Sequence, residues 1–197
     1  MADAGRVIAG SARGLRLQAP RGDTRALGDR VKQTLFAILE PRLRGARVLD
    51  LFAGSGAAGI EAASRGAAMV TFVEHDAGAV AAIRANLART RLDGPERQVV
   101  RADVTAWLEG EGRTRGPFDV VIVDPPYASP GLLTDALAKL ADRRWQLLGP
   151  AAVVVAKHAS RDQPPDEVGL LASVDVRRFG DTALTFYEHV AERRDQA

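Results

Sequence analysis

Asp124-Pro125-Pro126-Tyr127 follows the apolar run Val120-Val121-Ile122-Val123 and so sits where a buried strand surfaces. Neither proline has an amide hydrogen and both have fixed φ, so the segment neither extends a sheet nor starts a helix, and the Pro125 carbonyl is left as a free acceptor. A carboxylate, a free carbonyl, rigid prolines and an aromatic ring at one strand end suit a flat, amine-bearing ring. Asp124 and Pro125 would grip the NH2 group and Tyr127 would stack on the ring. The competing reading is an Asp-Pro turn that merely ends a strand.

A second constellation lies upstream. Val48-Leu49-Asp50-Leu51-Phe52-Ala53-Gly54-Ser55-Gly56-Ala57-Ala58-Gly59 is a strand running into a glycine turn with G-x-G-x-x-G spacing. Such a turn lets the backbone approach a nucleotide, although the pattern alone also fits an ordinary tight turn. The next strand ends in Glu74, 18 residues past Gly56, where a carboxylate can accept both ribose hydroxyls. Asp50, inside the approach to the turn, would repel a pyrophosphate but suit an ammonium or sulfonium, which favours S-adenosylmethionine over a nicotinamide dinucleotide. Asp103, after a third strand, is placed either for an adenine amino group or as the N-cap of a following helix, and the two roles are compatible.

These residues need a scaffold. The pattern predicts strands at 47–52, 69–74, 97–101, 118–123, 151–156, 172–178 and 183–190, alternating as far as 156 with helices at 57–65, 77–92, 104–110 and 131–143. Alternation of this kind implies an α/β, Rossmann-like, mostly parallel sheet of seven strands with helices on both faces. Phe179-Gly180-Asp181-Thr182 is too short for a crossover, so the last two strands must pair antiparallel. Upstream, residues 5–20 read as a basic hairpin. A helix starts at Asp29, with Val31, Leu35, Ile38 and Leu39 on one stripe, Arg30 and Lys32 on the wetter face, and Pro41 closing it. The expected organisation is a hairpin appendage over 1–25, a catalytic domain over 26–190 and a tail over 191–197.

Composition narrows the class. With 197 residues and 46% apolar content, one core is sufficient. The absence of cysteine excludes disulfides, zinc-thiolate sites and thiol catalysis. No signal core opens the chain and no apolar run approaches the about 20 residues of a membrane span, so a soluble, cytoplasmic protein is expected. Residues 1–47 carry a net charge of +6 against −4 for the remainder, which points to a polyanion partner at the N-terminal end. Of 27 basic residues 24 are Arg, so the location of the arginines carries this argument and the choice of Arg over Lys does not. His75, His158 and His189 lack metal-ligand spacing and read as surface or strand-end residues. Trp107 and Trp145 read as helical packing residues, and Lys157 as a solvated strand end, with RNA contact as the alternative.

The glycine turn followed by Asp124-Pro125-Pro126-Tyr127 resembles the unpermuted class I amino-methyltransferases. Over nearly its whole length the chain resembles the bacterial 16S ribosomal RNA (guanine-N2)-methyltransferase D family. Supporting segments are Arg6-Val7-Ile8-Ala9-Gly10, Asp29-Arg30-Val31-Lys32-Gln33-Thr34-Leu35-Phe36, Gly59-Ile60-Glu61-Ala62, Ser64-Arg65-Gly66-Ala67, Phe72-Val73-Glu74 and Gly180-Asp181-Thr182-Ala183-Leu184. The resemblance implies S-adenosylmethionine as cofactor on Asp50, Phe52, Ala53, Gly54, Ser55, Gly56, Glu74 and Asp103, with catalysis by Asp124, Pro125, Pro126 and Tyr127. It implies 16S ribosomal RNA as partner, within a small-subunit particle, met by Arg6, Arg13, Arg16, Arg25 and Arg30, and a monomer without metal. One departure is clear: the family carries Arg-Pro-Thr before Asp-Arg-Val, whereas Arg25 here is followed by Ala26, Leu27 and Gly28. The alternatives are a DNA or other RNA amino-methyltransferase, a catalytically weak RNA-binding assembly factor, or a nicotinamide dehydrogenase.

Overall fold

The structure is a computed structural model that describes residues 3–20 and 28–190. The chain opens with an antiparallel hairpin, β1 (Asp3–Arg6) and β2 (Arg16–Gln18), followed by helix α1 (Asp29–Leu43). Five apolar runs then become β3 (Arg47–Leu51), β4 (Met69–Glu74), β5 (Arg97–Arg101), β6 (Phe118–Val123) and β7 (Leu148–Ala159), which pair parallel in the order β5-β4-β3-β6-β7. The connecting helices are α2 (Ala57–Ser64), α3 (Ala77–Thr90), α4 (Val104–Glu109) and α5 (Pro130–Leu140). Strand β10 (Thr182–His189) inserts antiparallel between β7 and β9 (Leu171–Phe179). The β9–β10 turn uses Gly180 at φ 58°, a left-handed conformation that glycine adopts without strain.

The interiors of β3, β4, β6 and β7 bury both faces, as parallel strands with helical crossovers must, whereas β5 at the sheet edge is only half-buried. Val48, Val70, Phe72, Val120, Ile122, Val153 and Val155 join α1, α2 and α3 in one core, while Leu49, Leu51, Val73, Val121, Val123 and Val154 join α4 and α5 in the other. The result is the doubly wound, Rossmann-like fold that the sequence pattern predicts. Among the described residues the sheet has eight strands, not seven, because a two-residue edge strand, β8 (Glu167–Val168), pairs with β9 and is too short to show alternation. Strand β7 is twice as long as predicted, extended at both ends by pairing with β6 and β10. Helix α5 stops at Leu140, and Arg143–Trp145 form a separate 3₁₀ turn capped by Asp142.

Two expectations for α1 fail for physical reasons. Pro41 lies inside the helix, which runs on to Leu43, because burial of Leu39 and Leu43 outweighs one missing amide near the helix end. Lys32 is not on the wet face: its side chain is fully buried, its Nζ donates to the Arg6 carbonyl and lies 3.9 Å from Glu61. Glu61, also fully buried, accepts the amides of Ile8 at 2.7 Å and Ala9 at 3.0 Å and the Arg65 Nε at 2.8 Å. Burial holds the Lys32 ammonium below its usual range, with Glu61 acting in the opposite sense. The hairpin is thereby tied to α1 and α2, and Ala4, Val7, Ala12 and Leu17 complete the same core. Residues 21–27 and 191–197, including Arg25, the Arg25-Ala26-Leu27 departure and the predicted tail, lie outside the described residues.

Removing one member of a buried ionic cluster leaves its partners uncompensated. Glu61→Ala is expected to destabilise the protein by about 3–5 kcal/mol in urea unfolding. Lys32→Met, which leaves Glu61 with Arg65 and two amides, should cost clearly less. Equal losses in the two variants would mean that Glu61 does not organise the cluster.

Candidate active site

Strand order reverses at β3, since the chain builds outward through β4 and β5 on one side and resumes with β6 on the other. In open α/β sheets the crevice outside the strand ends at such a switch point is where ligands bind. Both sequence constellations meet there. Leu51 pairs with Val123 across β3 and β6, and the Asp124 amide donates to the Leu51 carbonyl at 3.3 Å, so the glycine turn and the Asp-Pro-Pro-Tyr segment leave neighbouring strands at the same level.

The glycine turn is shaped by backbone conformations that ordinary residues avoid. Phe52, Gly54 and Gly56 have φ of 59°, 53° and 76°. For Phe52 this is strain of order 1–3 kcal/mol, held in place by its surroundings. Ala53 donates its amide to the Val73 carbonyl at 3.2 Å. Glu74, buried at the end of β4, accepts the Gly54 amide at 2.9 Å through Oε2 and the Asp76 amide at 2.9 Å through Oε1. His75 Nδ1 also lies 3.1 Å from Oε1, so of the about four acceptor positions of a carboxylate one, on Oε2, remains for a hydroxyl of a ligand. Asp50 is 2% exposed, and its Oδ2 accepts the Gly59 amide at 2.8 Å. Burial, with added repulsion from Asp124 and Glu74 and partial relief from Gly59, pushes the Asp50 carboxyl up to about 8. Asp103 is exposed at the end of β5 and accepts the Ala106 amide at 2.9 Å, the predicted N-cap, with its other oxygen outside that bond.

Asn86, which sequence reading did not single out, braces the turn. Fully buried on α3, it donates to the carbonyls of Ser55 and Gln18, each at 2.9 Å, and accepts the Gln18 amide at 2.8 Å. A polar residue on the stripe that includes Val80, Ile83 and Leu87 was the available signal.

At the β6 end, Pro125 is buried, Pro126 is exposed and Asp124 and Tyr127 are half-buried. Among the described residues no donor meets the Pro125 carbonyl, whereas the Pro126 carbonyl accepts the Ser129 amide at 3.0 Å. The Tyr127 hydroxyl shares a 2.8 Å hydrogen bond with Thr182. Lys157 is no solvated strand end: its side chain is 11% exposed, its Nζ donates to Asp124 Oδ1 at 2.5 Å, and it lies 4.9 Å from the Tyr127 ring centroid. The β6–β7 pairing of Val123 with Ala156 puts residue 157 beside residue 124, information that requires knowing which strands are neighbours. Burial raises the Asp124 carboxyl above its usual range and Lys157 opposes that rise. A cavity of about 210 Å³ opens beside these groups, walled by Tyr127, Pro126, Leu133, Lys157, Gln163 and Pro165.

The arginine candidates belong to the hairpin and α1, and His158 to β7 beside Lys157. Arg6 and Arg16 are exposed on the hairpin and pair with Asp29 at 3.3 Å and Asp3 at 2.5 Å, while Arg13 is exposed on the turn and Arg30 on α1. His158 is buried, not superficial, and its ring nitrogens meet Thr185 and the Ala159 carbonyl, each at 2.9 Å. Trp107 packs inside the second core, as predicted. Among the described residues no helix is long and apolar enough to cross a membrane, and no cluster of His, Asp and Glu could hold a metal ion.

A family model described as "Conserved hypothetical protein 95" matches residues 5–188. The Haemophilus influenzae protein named "Ribosomal RNA small subunit methyltransferase D" is 35% identical over 160 residues, covering 81% of this chain and 80% of its own. The chain belongs to the ribosomal RNA small subunit methyltransferase D family. A Bacillus subtilis relative, the candidate rRNA methyltransferase YlbH, is 36% identical over 184 residues, 93% of this chain and 98% of its own. Among solved structures, the candidate methyltransferase yhhF from Escherichia coli superposes with a TM-score of 0.83 at 32% identity, covering 95% of this chain and 98% of its own. A more distant structure, SMU.776, titled as a candidate methyltransferase complexed with SAH, shares the fold at 16% identity and a TM-score of 0.64, covering 80% of this chain and 49% of its own.

The state of Asp50 gives this family member a testable pH dependence. Its folded value, about 8, lies above the ordinary 3.8, so its contribution to stability is complete below about pH 4 and is lost as pH rises through 8. Each pH unit in that window costs the ligand-free protein up to about 1.4 kcal/mol. Asp50→Asn, which cannot ionise, is expected to gain stability over wild type progressively between pH 4 and 8, read from urea midpoints. A pH-independent gap would show that Asp50 is ionised throughout.

Proposed function

We propose that this protein transfers a methyl group from S-adenosylmethionine to the exocyclic N2 of a guanine in 16S ribosomal RNA of the small subunit. The observation that carries the reading is the meeting of a glycine turn lined by buried carboxylates with an amine-gripping Asp-Pro-Pro-Tyr segment at one switch point. The names of the family relatives support the substrate class, and the SAH-bound fold relative supports the cofactor.

The residues present fit such a cofactor. Asp50 is a buried carboxyl that would be ionised by a neighbouring ammonium, Glu74 keeps an Oε2 acceptor position for a ribose hydroxyl and could take the second in place of His75 at Oε1, and Asp103 keeps an oxygen for an adenine amine. Phe52, Ala53, Gly54, Ser55 and Gly56 supply the turn along which the cofactor would lie. This carboxylate-rich lining is unfavourable for a pyrophosphate, which argues against a dinucleotide. When bound, S-adenosylmethionine supplies an electrophilic methyl group on a cationic sulfur.

The guanine N2 is a weak nucleophile because its lone pair is delocalised into the ring. Asp124 and the Pro125 carbonyl, accepting its two N–H bonds, favour a pyramidal nitrogen and aim the lone pair. Tyr127, held by Thr182, stacks on the base, a contact worth about 1–3 kcal/mol in single-strand binders. Pro126 keeps the segment rigid. Alignment of this kind accounts for up to about 7–11 kcal/mol of a barrier. A strong base is unnecessary, because the N2 proton becomes acidic once the nitrogen is alkylated and then passes to Asp124 or water. Arg6, Arg13, Arg16 and Arg30 meet the RNA from the hairpin and the adjoining helix, with Arg25, outside the described residues, as a further contact; this N-terminal region, 1–25, precedes the catalytic domain over 26–190. The protein works as a cytoplasmic monomer on a small-subunit particle.

Purified protein with labelled S-adenosylmethionine and ribosomal RNA, small-subunit particles or DNA should label N2-methylguanosine in the small-subunit RNA. Label in DNA adenine or cytosine, or none in any substrate, would overturn the assignment. Asp124→Ala is expected to lose more than tenfold in turnover, at least about 1.4 kcal/mol of barrier, with S-adenosylhomocysteine affinity nearly unchanged. Because Glu61 and Asn86 tie the hairpin to the core, its role is better tested by substitution than by deletion. Arg13→Ala with Arg16→Ala should weaken RNA binding and flatten the log–log salt slope by roughly 0.7–0.9 per lost phosphate contact. An unchanged slope would move RNA recognition elsewhere.

A further inference from the structure

The ion pair at the centre of the site raises a question that the proposed reaction does not answer. Lys157 is one of three lysines in the chain, and it is almost entirely enclosed by the groups meant for the substrate: the Asp124 carboxylate at 2.5 Å and the Tyr127 ring at 4.9 Å. An ammonium taken out of water is favourable only where charge and ring face compensate it, and here both do. It uses Oδ1 of Asp124, so Oδ2 and the Pro125 carbonyl are the acceptors left over.

We propose that Lys157 is a positioning residue for methyl transfer, holding Asp124 as an oriented anion through Oδ1 so that Oδ2 and the Pro125 carbonyl can receive the two N–H bonds of the target amine. The inference rests on the reading of Asp124 as the amine acceptor. A protonated Asp124 would turn one of its oxygens into a donor facing another donor, and the amine would lose its aim. The surroundings otherwise favour that protonated form. The Asp124 side chain is 19% exposed, and its desolvation works against the ionised form, while Asp50, with its own carboxyl pushed up to about 8, is neutral over the range in which Asp124 ionises. On β7 the next residue, His158, is turned away to Thr185, and Thr182 on β10 offers only a neutral hydroxyl, which meets Tyr127. Lys157 is the cation that offsets this desolvation.

Asp124 must be ionised for turnover, so kcat/KM falls on the acid side as Asp124 protonates, and loss of the neighbouring cation moves that limb to higher pH. Lys157→Met and the more polar Lys157→Gln should move the acid limb up by at least one pH unit and cut kcat tenfold or more near neutrality. Activity should recover toward alkaline pH, and Lys157→Arg should restore most of the neutral rate. S-adenosylhomocysteine affinity should stay within about threefold of wild type. The 13C carboxyl resonance of Asp124, assigned by its loss in Asp124→Asn, should titrate at higher pH in Lys157→Gln without any substrate present. Wild-type pH profiles and an unmoved carboxyl titration in Lys157→Gln would overturn the proposal while leaving the methyltransferase reading intact. Retained turnover in Asp124→Ala would instead overturn the reading on which it rests.

Discussion

Two carboxyl groups, Asp50 and Asp124, are forced together at the rim of a parallel sheet. They end or follow adjacent strands whose registers are locked by Leu51 and Val123, so neither can retreat without breaking the ladder. Buried like charges in this arrangement are unstable unless something cationic or a proton joins them. The chain uses a different solution at each. Lys157 lies against Asp124, whereas Asp50 has the Gly59 amide and a strongly raised proton affinity. That difference leaves Asp50 protonated and Asp124 paired with a cation in the ligand-free protein.

The scaffold around this rim is stiff where chemistry needs precision. The turn after β3 combines left-handed Phe52, Gly54 and Gly56 with amides anchored on Val73 and Glu74. Gly59 cannot carry a side chain, because a Cβ there would lie 2.3 Å from the Phe72 ring. Helix α2 therefore packs directly on β4, and its amide at residue 59 reaches Asp50. Backbone strain at Phe52 is tolerated because these contacts over-determine the turn.

The N-terminal hairpin is joined to the same apparatus. Its backbone feeds the buried Glu61–Lys32–Arg65 cluster on one side and Asn86 on the other, and Asn86 in turn holds the Ser55 carbonyl of the glycine turn. The exposed arginines project from an element whose inner face belongs to the core. Contacts of a polyanion with Arg13 or Arg16 would thus be made on a hairpin whose backbone is linked through Asn86 to the glycine turn.

Local pattern was enough to read much of this molecule. Alternating apolar runs and glycine stops established the doubly wound sheet, since periodicity is a property of neighbouring residues. Asp50, Gly54, Gly56, Glu74 and the Asp124–Tyr127 segment are likewise recognisable because each sits at a strand end defined by its own flanking sequence. What tertiary structure decided is every relation between distant segments. Lys32 reads as a wet-face lysine until Glu61 and the Arg6 carbonyl are brought to it from elsewhere in the chain, and only that pairing makes its burial tolerable. Pro41 reads as a helix stop until Leu43 finds the core. Lys157 reads as a strand end in water until the β6–β7 register sets it against Asp124 and Tyr127. A charged residue's meaning depends on which partner desolvates it, and partners far apart in sequence are chosen by packing of the folded chain.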